Sequence, residues 1–150
     1  MTPQNHTSDP KFFQHVNALI AINNERYKTY SHAMEKTRDS TFRSLCAQNK
    51  ERTVHFNMQL IKCLVQYDQA PPDPVEGKTA YHFDMAKRLA FLHPVRGFSR
   101  NACLWWDSVA QKAYRHIVGD IRHIPVEVKR ILLLQQSILE SDQKYSGIAL

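Results

Sequence analysis

Apolar residues recur along this chain at intervals of three and four. That spacing keeps them on one face of a helix of 3.6 residues per turn. The first stripe is Phe13, Val16, Ile20, Asn23, Tyr27, Tyr30 and Met34. The second is Phe42, Leu45, Asn49, Thr53, Phe56, Leu60, Cys63 and Tyr67. A third runs Cys103, Asp107, Ala110, Tyr114, Ile117, and a fourth Val128, Ile131, Gln135, Ile138, Asp142, Tyr145. Alternating three and four is the seam spacing of a helical bundle. The chain offers no strand candidate of useful length, no repeat and no low-complexity tract.

Helix breakers place the ends. Residues 11–70 contain neither glycine nor proline. As one helix they would run ~90 Å, too long for a compact domain of this size. The chain must therefore fold back, and Asp39-Ser40-Thr41, preceded by Arg38, is the place. These are N-cap residues following a cation suited to a helix C-terminus. The first helix is expected from Pro10, with Asp9 as its N-cap. The second is expected over 40–68, ended by Pro71, Pro72 and Pro74. A connection over 75–96 follows, with a shorter helix over 81–92 that stops before Pro94. Gly97 and Ser99 open a helix over 98–118 that Gly119 closes, and Pro125 starts the last one, over 125–146.

Two long helices joined by a tight turn make an antiparallel hairpin, and so do the last two. A connection as long as 75–96 can cross the length of the bundle. Two hairpins joined by one long crossover is the ferritin-like arrangement. The expected fold is therefore an all-α, ferritin-like four-helix bundle with an extra helix in its crossover. It fills residues 1–150 as one domain, with 1–9 extended or disordered.

Each stripe carries polar residues near its middle. Asn23 and Thr53 lie equally far from the first turn, and Asp107 and Gln135 equally far from the second. Reflection about the turns puts them at one height, a polar layer inside an apolar core. Such groups are costly to bury without partners. Di-iron bundles place their metal at this height, with a Glu from each of two helices and a Glu-x-x-His pair from each of the other two. Those ligands are missing here: Arg52 stands three before His55, and the last helix has no histidine. Iron or manganese is therefore not expected. Arg52, three after Asn49 and four before Phe56, can point inward, where its guanidinium would replace a metal's charge beside Asp107. The expected core polar layer is Asn23, Asn49, Arg52, Thr53, His55, Asp107 and Gln135. The hydroxyls of Tyr27, Tyr30 and Tyr114 are expected to pair with it.

The segment from Ala18 to Tyr27, reading ALIAINNERY, followed by Tyr30 and by Ala33 to Thr37, resembles a group of bacterial ferritin-like proteins. Their first helix typically reads LIEINNDRIEGYEKA. Cys103 to Tyr114 resembles the same group's CExGEDAAxKAY, keeping Cys103, an acid at Asp107, Ala110, Lys112, Ala113 and Tyr114. Pro125 to Val128 and Gln135 resemble its last helix, so the likeness covers residues 12–146. The family's Gly-Glu-Asp has become Trp106-Asp107-Ser108, its Cys-Glu pair Cys103-Leu104, and a late histidine Gln143. The resemblance implies the fold, a divergent member and a degenerate metal site. It implies no reaction, because the family's activity is not established.

Composition changes this picture little. The net charge is +6, but Lys87-Arg88 and Lys129-Arg130 sit in apolar-periodic segments, so solvated helix faces are expected rather than a nucleic-acid surface. Apolar runs such as Ile131 to Leu134 are far short of the ~20 residues that span a bilayer. Cys46, Cys63 and Cys103 are odd in number, and ~25 Å separate Cys46 from Cys63 along one helix, so these two cannot pair. Buried thiols in a reducing, cytoplasmic compartment are expected. Trp105 and Trp106 diverge by ~100° on a helix; one is expected in the core and the other against the 75–96 connection, or at a dimer interface or ligand pocket. His116 and His123 flank the turn at Gly119, too few ligands for structural zinc. A Cys103–His55 nucleophile–base pair across the bundle is conceivable but is not expected. No complete catalytic motif is present. The expected function is a non-enzymatic bundle that associates with itself, as a dimer. The alternatives are a metal-binding or oxidase-like protein with a residual core site, or an electrostatic binder of nucleic acid.

Overall fold

A computed structural model describes residues 10–67, 100–120 and 124–149, with the side chains of 12–67, 100–119 and 124–141. These residues are helical: α1 (Pro10–Lys36), α2 (Ser40–Gln66), α3 (Arg100–Asp120) and α4 (Val126–Ala149). No strand occurs among them. The expectations for residues 1–9, for a helix over 81–92, for Lys87 and Arg88, for His123, and for the side chains of Asp142 and Tyr145 lie outside the described residues.

The first turn forms where N-cap chemistry places it. Asp39 has extended backbone (φ −81°, ψ 112°), and its carboxylate accepts from the backbone N–H of Thr41 at 2.9 Å and Phe42 at 3.2 Å. This satisfies donors that a helix start leaves without partners. On the other side, Arg43 donates to the carbonyl of Thr37 at 2.6 Å. At the second turn, the Lys129 N–H bonds the carbonyl of Pro125 at 3.0 Å, so that residue opens α4 as expected. Gly119 does not close α3: it lies within the helix, which continues to Asp120.

Contacts at the helix ends fix the connectivity. Arg100, the first residue of α3, pairs with Asp39 at the first turn. Gln66, at the end of α2, donates to Glu127 at the start of α4 at 3.4 Å. There too, the Phe12 ring meets Tyr67 edge-on, with centroids 6.0 Å apart. So α2 and α3 run in the same direction, and α2 ends at the opposite end of the bundle from where α3 begins. The connection between them is the long one. α1 packs against α2 and α3, and α4 packs mainly against α3 and only lightly against α2.

The core has two parts. The larger is built from α1 residues Phe12 to Ile22, α2 residues Phe56 to Leu64, α3 residues Val109 to Ile117 and α4 residues Val128 to Leu139. The smaller lies toward the first turn and comprises Tyr30, Ala33, Cys46 and Cys103. Burial on α1 follows Phe12, Val16, Leu19, Asn23, Arg26, Tyr30, Ala33, again alternating four and three. This seam is rotated from the expected one. Tyr27 is 38% exposed with Lys50 over its ring, while Arg26 is 2% exposed. On α4 the seam is Val128, Leu132, Gln135, Leu139, with Ile131 and Ile138 only half-buried. The stripes expected for α2 and α3 are the buried ones, apart from half-buried Phe42, Leu45 and Tyr67 near the ends of α2. Among the described residues no helix is long and apolar enough to cross a membrane.

Candidate functional site

Between the two parts of the core lies a chain of polar side chains that reaches all four helices. Arg26 donates through Nε to Asp107 at 3.0 Å and through Nη1 to the Asn23 carbonyl oxygen at 3.1 Å. The Tyr30 hydroxyl donates to the same Asp107 oxygen. Asn23 donates to the Tyr114 hydroxyl at 3.2 Å, and Tyr114 donates to Gln135. The Gln135 amide closes on α2, donating to the Phe56 carbonyl at 3.2 Å and to Gln59 at 2.9 Å. No buried side-chain nitrogen or oxygen in this run lacks a hydrogen-bond partner, which is the condition for burying polar groups at low cost.

Three of the expected residues meet here: Asn23, Asp107 and Gln135. The remaining four do not join them. His55 is exposed on α2. Thr53 is buried, but its hydroxyl donates at 2.7 Å to the carbonyl of Lys50 in its own helix. Asn49 is buried nearer the first turn, beside the thiols. Arg52 is half-buried, and the cation that meets Asp107 is Arg26. Likewise Cys103 does not face His55, which is exposed; it is buried in one cluster with Cys46. The sequence holds a signal for Arg26, because Asn23, Arg26 and Tyr30 also alternate three and four. The presumption that charges stay outside favours Tyr27 instead.

Electrostatics follow from burial. Burial alone works against a charged guanidinium, but the Tyr30 and Asp107 oxygens outweigh it and hold Arg26 above its ordinary value. Tyr30 is pushed well above 10.0, first by burial and then by Asp107. Tyr114 is also raised, by burial, against the opposing hydrogen bond from Asn23. A group whose folded value is raised contributes stability below its unfolded pKa and loses it as pH climbs toward the folded one. Stability is therefore expected to be flat with respect to these tyrosines below about pH 10 and to fall above it. An alkaline ultraviolet titration should show Tyr30 and Tyr114, two of six tyrosines, ionising only together with the loss of helical circular dichroism. Smooth ionisation of all six in folded protein would contradict this.

Beside the polar chain, at the first-turn end, is a cavity of about 120 Å³ lined by Tyr30, Asp39, Asn49, Arg100, Cys46 and Cys103 among others. Trp105 and Trp106 stand edge to face, 4.8 Å between centroids, both half-buried against the larger core. The Trp105 indole N–H has no partner among the described residues. No group of three or more His, Cys, Asp or Glu that could hold a metal occurs among the described residues. Compared with family models, curated proteins and solved structures, the chain finds no match.

Proposed function

We propose that this chain is a ferritin-like bundle, a divergent member of the family its first and third helices resemble, in which an internal ion pair stands where a metal centre would be. It catalyses no reaction and works by associating with a second copy of itself in the cytoplasm. The observation that carries this reading is the Arg26–Asp107 pair, 3.0 Å apart with both side chains nearly inaccessible. The guanidinium takes up the one carboxylate at the centre of the layer. A divalent ion placed there would meet its charge at low dielectric, a repulsion of several kcal/mol or more. Asn23, Tyr114 and Gln135 are occupied with one another and offer no open ligand position.

Self-association is supported by apolar residues on the outer face of α2. Val54, Met58 and Val65 are 42%, 57% and 57% exposed, and half-buried Ile61 continues their spacing of four, three and four. Contiguous exposed apolar surface of this kind marks interaction sites. Three free, buried cysteines suit a reducing compartment.

Native mass spectrometry of protein soaked in Fe(II) or Mn(II) and then desalted tests both parts at once. A dimer without bound metal is the expected result. About two metals per chain, the loading of a di-metal bundle, would overturn the ion-pair reading. A monomer at micromolar concentration would overturn self-association and leave the ion pair untouched.

A further inference from the structure

Two thiols that the polar layer does not use meet at the first-turn end of the bundle. Cys46 in the second turn of α2 and Cys103 in the first turn of α3 pack into one cluster with Tyr30 and Ala33. Their side chains line one cavity, and each thiol shifts the titration of the other. The two helices run in the same direction here, and Ala33 of α1 packs in the same cluster as both thiols.

Both cysteines line the cavity of about 120 Å³. Its rim includes Asp39 and Arg100, whose side chains are 46% and 37% exposed, while Cys46 and Cys103 are buried. The cavity thus leads from surface groups to sulfur. At roughly 30 Å³ per water in the liquid, it can hold a few waters or a small hydroperoxide. Asn49 lines the same space, is 3% exposed, and its carbonyl oxygen has no partner among the described residues. That oxygen is an acceptor for an O–H donor entering the cavity, which a hydroperoxide is. The third thiol, Cys63, lies in the larger core, outside this cavity.

The pair is also asymmetric. Contact with Cys103 lowers the Cys46 thiol against burial and the charge of Asp107, and the charge of Arg100 helps. Contact with Cys46, together with burial, pushes Cys103 up. The thiolate is the nucleophile, and Arg100, the cation in the cavity lining, acts on Cys46, which makes Cys46 the attacking sulfur.

We propose that Cys46 and Cys103 form a hydroperoxide-reactive site, in which Cys46 is oxidised and Cys103 then closes a disulfide between α2 and α3. The Cys46 thiolate attacks one peroxide oxygen. An S–O bond forms, the O–O bond breaks, and hydroxide leaves to take a proton from solvent. Sulfur loses two electrons and becomes a sulfenic acid, while the peroxide is reduced to water. Cys103 sulfur then attacks the sulfenic sulfur. Its proton leaves with the displaced hydroxide as a second water, and the S–S bond remains. A small thiol reductant reverses the reaction by exchange. This is a stoichiometric modification.

Fully reduced protein is treated with one molar equivalent of hydrogen peroxide, then unfolded for thiol counting and non-reducing peptide mapping. The three free thiols should fall to one, the intact mass should drop by two hydrogens, and a cross-linked peptide should join Cys46 to Cys103. Cys103→Ser, checked for folding by circular dichroism, should accumulate a Cys46 sulfenic acid that dimedone traps. If that variant does not fold, the wild-type cross-link decides the matter alone. Survival of all three thiols, loss of Cys63 at the same rate, or higher oxides of Cys46 without the cross-link would each overturn the proposal.

Discussion

Asp107→Ala is expected to destabilise the protein by about 3–5 kcal/mol, the usual consequence of removing one partner from a buried ion pair. Asp107 accepts from Arg26 and from Tyr30. Without it, a guanidinium 2% exposed is left with only neutral partners, Asn23 and Tyr30, in the polar chain, and its charge has no counter-charge. The magnitude comes from stranding that charge, and the pair itself adds little net stability. The double variant Arg26→Met with Asp107→Leu should therefore recover most of the loss, since well-packed apolar replacements of buried pairs are often neutral or stabilising. Asp107→Asn keeps an acceptor but not the charge and should fall between. Urea unfolding of the four proteins checks this. The two sites touch, so their effects should be strongly non-additive. A single-variant loss below about 1 kcal/mol, the worth of an exposed pair, would mean that water reaches the guanidinium and the layer is open.

The sequence makes the positions of the helices legible because their ends are local chemistry. Asp39 caps α2 with its own side chain, and Pro125 opens α4 with its carbonyl, and both can be read without knowing the rest of the fold. The seams of α2 and α3 are legible because each runs nearly the length of its helix, whereas the outer apolar positions of α2, Val54 to Val65, cover only its second half. α1 is different. It packs on two helices, so its buried arc is wide and several stripes fit it, and the one through Tyr27 is as apolar as the one through Arg26. Choosing between them requires knowing that Asp107 waits across the interface, which is tertiary information. For the same reason Arg52 is a sound guess from its own helix and the wrong partner for Asp107. The contact between Cys46 and Cys103 joins distant parts of the chain, and no spacing rule within one helix reveals it.

Gln135→Leu is the other large effect, expected at about 1–3 kcal/mol, the cost of leaving a buried polar group without its partner. Gln135 is fully buried and joins three helices. It accepts from Tyr114 on α3 and donates to Phe56 and Gln59 on α2. Leucine fills the space but leaves the Tyr114 hydroxyl without its acceptor in a site too buried for water. The loss should be smaller than for Asp107→Ala, because no charge is stranded. Its location should also differ. α2 and α4 meet only lightly, so this amide is their main polar tie. Val128, Leu132 and Leu139 still hold α4 against the core, and helical circular dichroism should be unchanged. Amide exchange should quicken along α4 around residues 132–139 before it does in α1. A loss below about 0.5 kcal/mol, beneath the usual worth of even one intramolecular hydrogen bond, with an unaltered exchange pattern would show α4 held by apolar contact alone. The polar chain would then end at Tyr114, joining α1 to α3 alone, instead of closing through α4 onto α2.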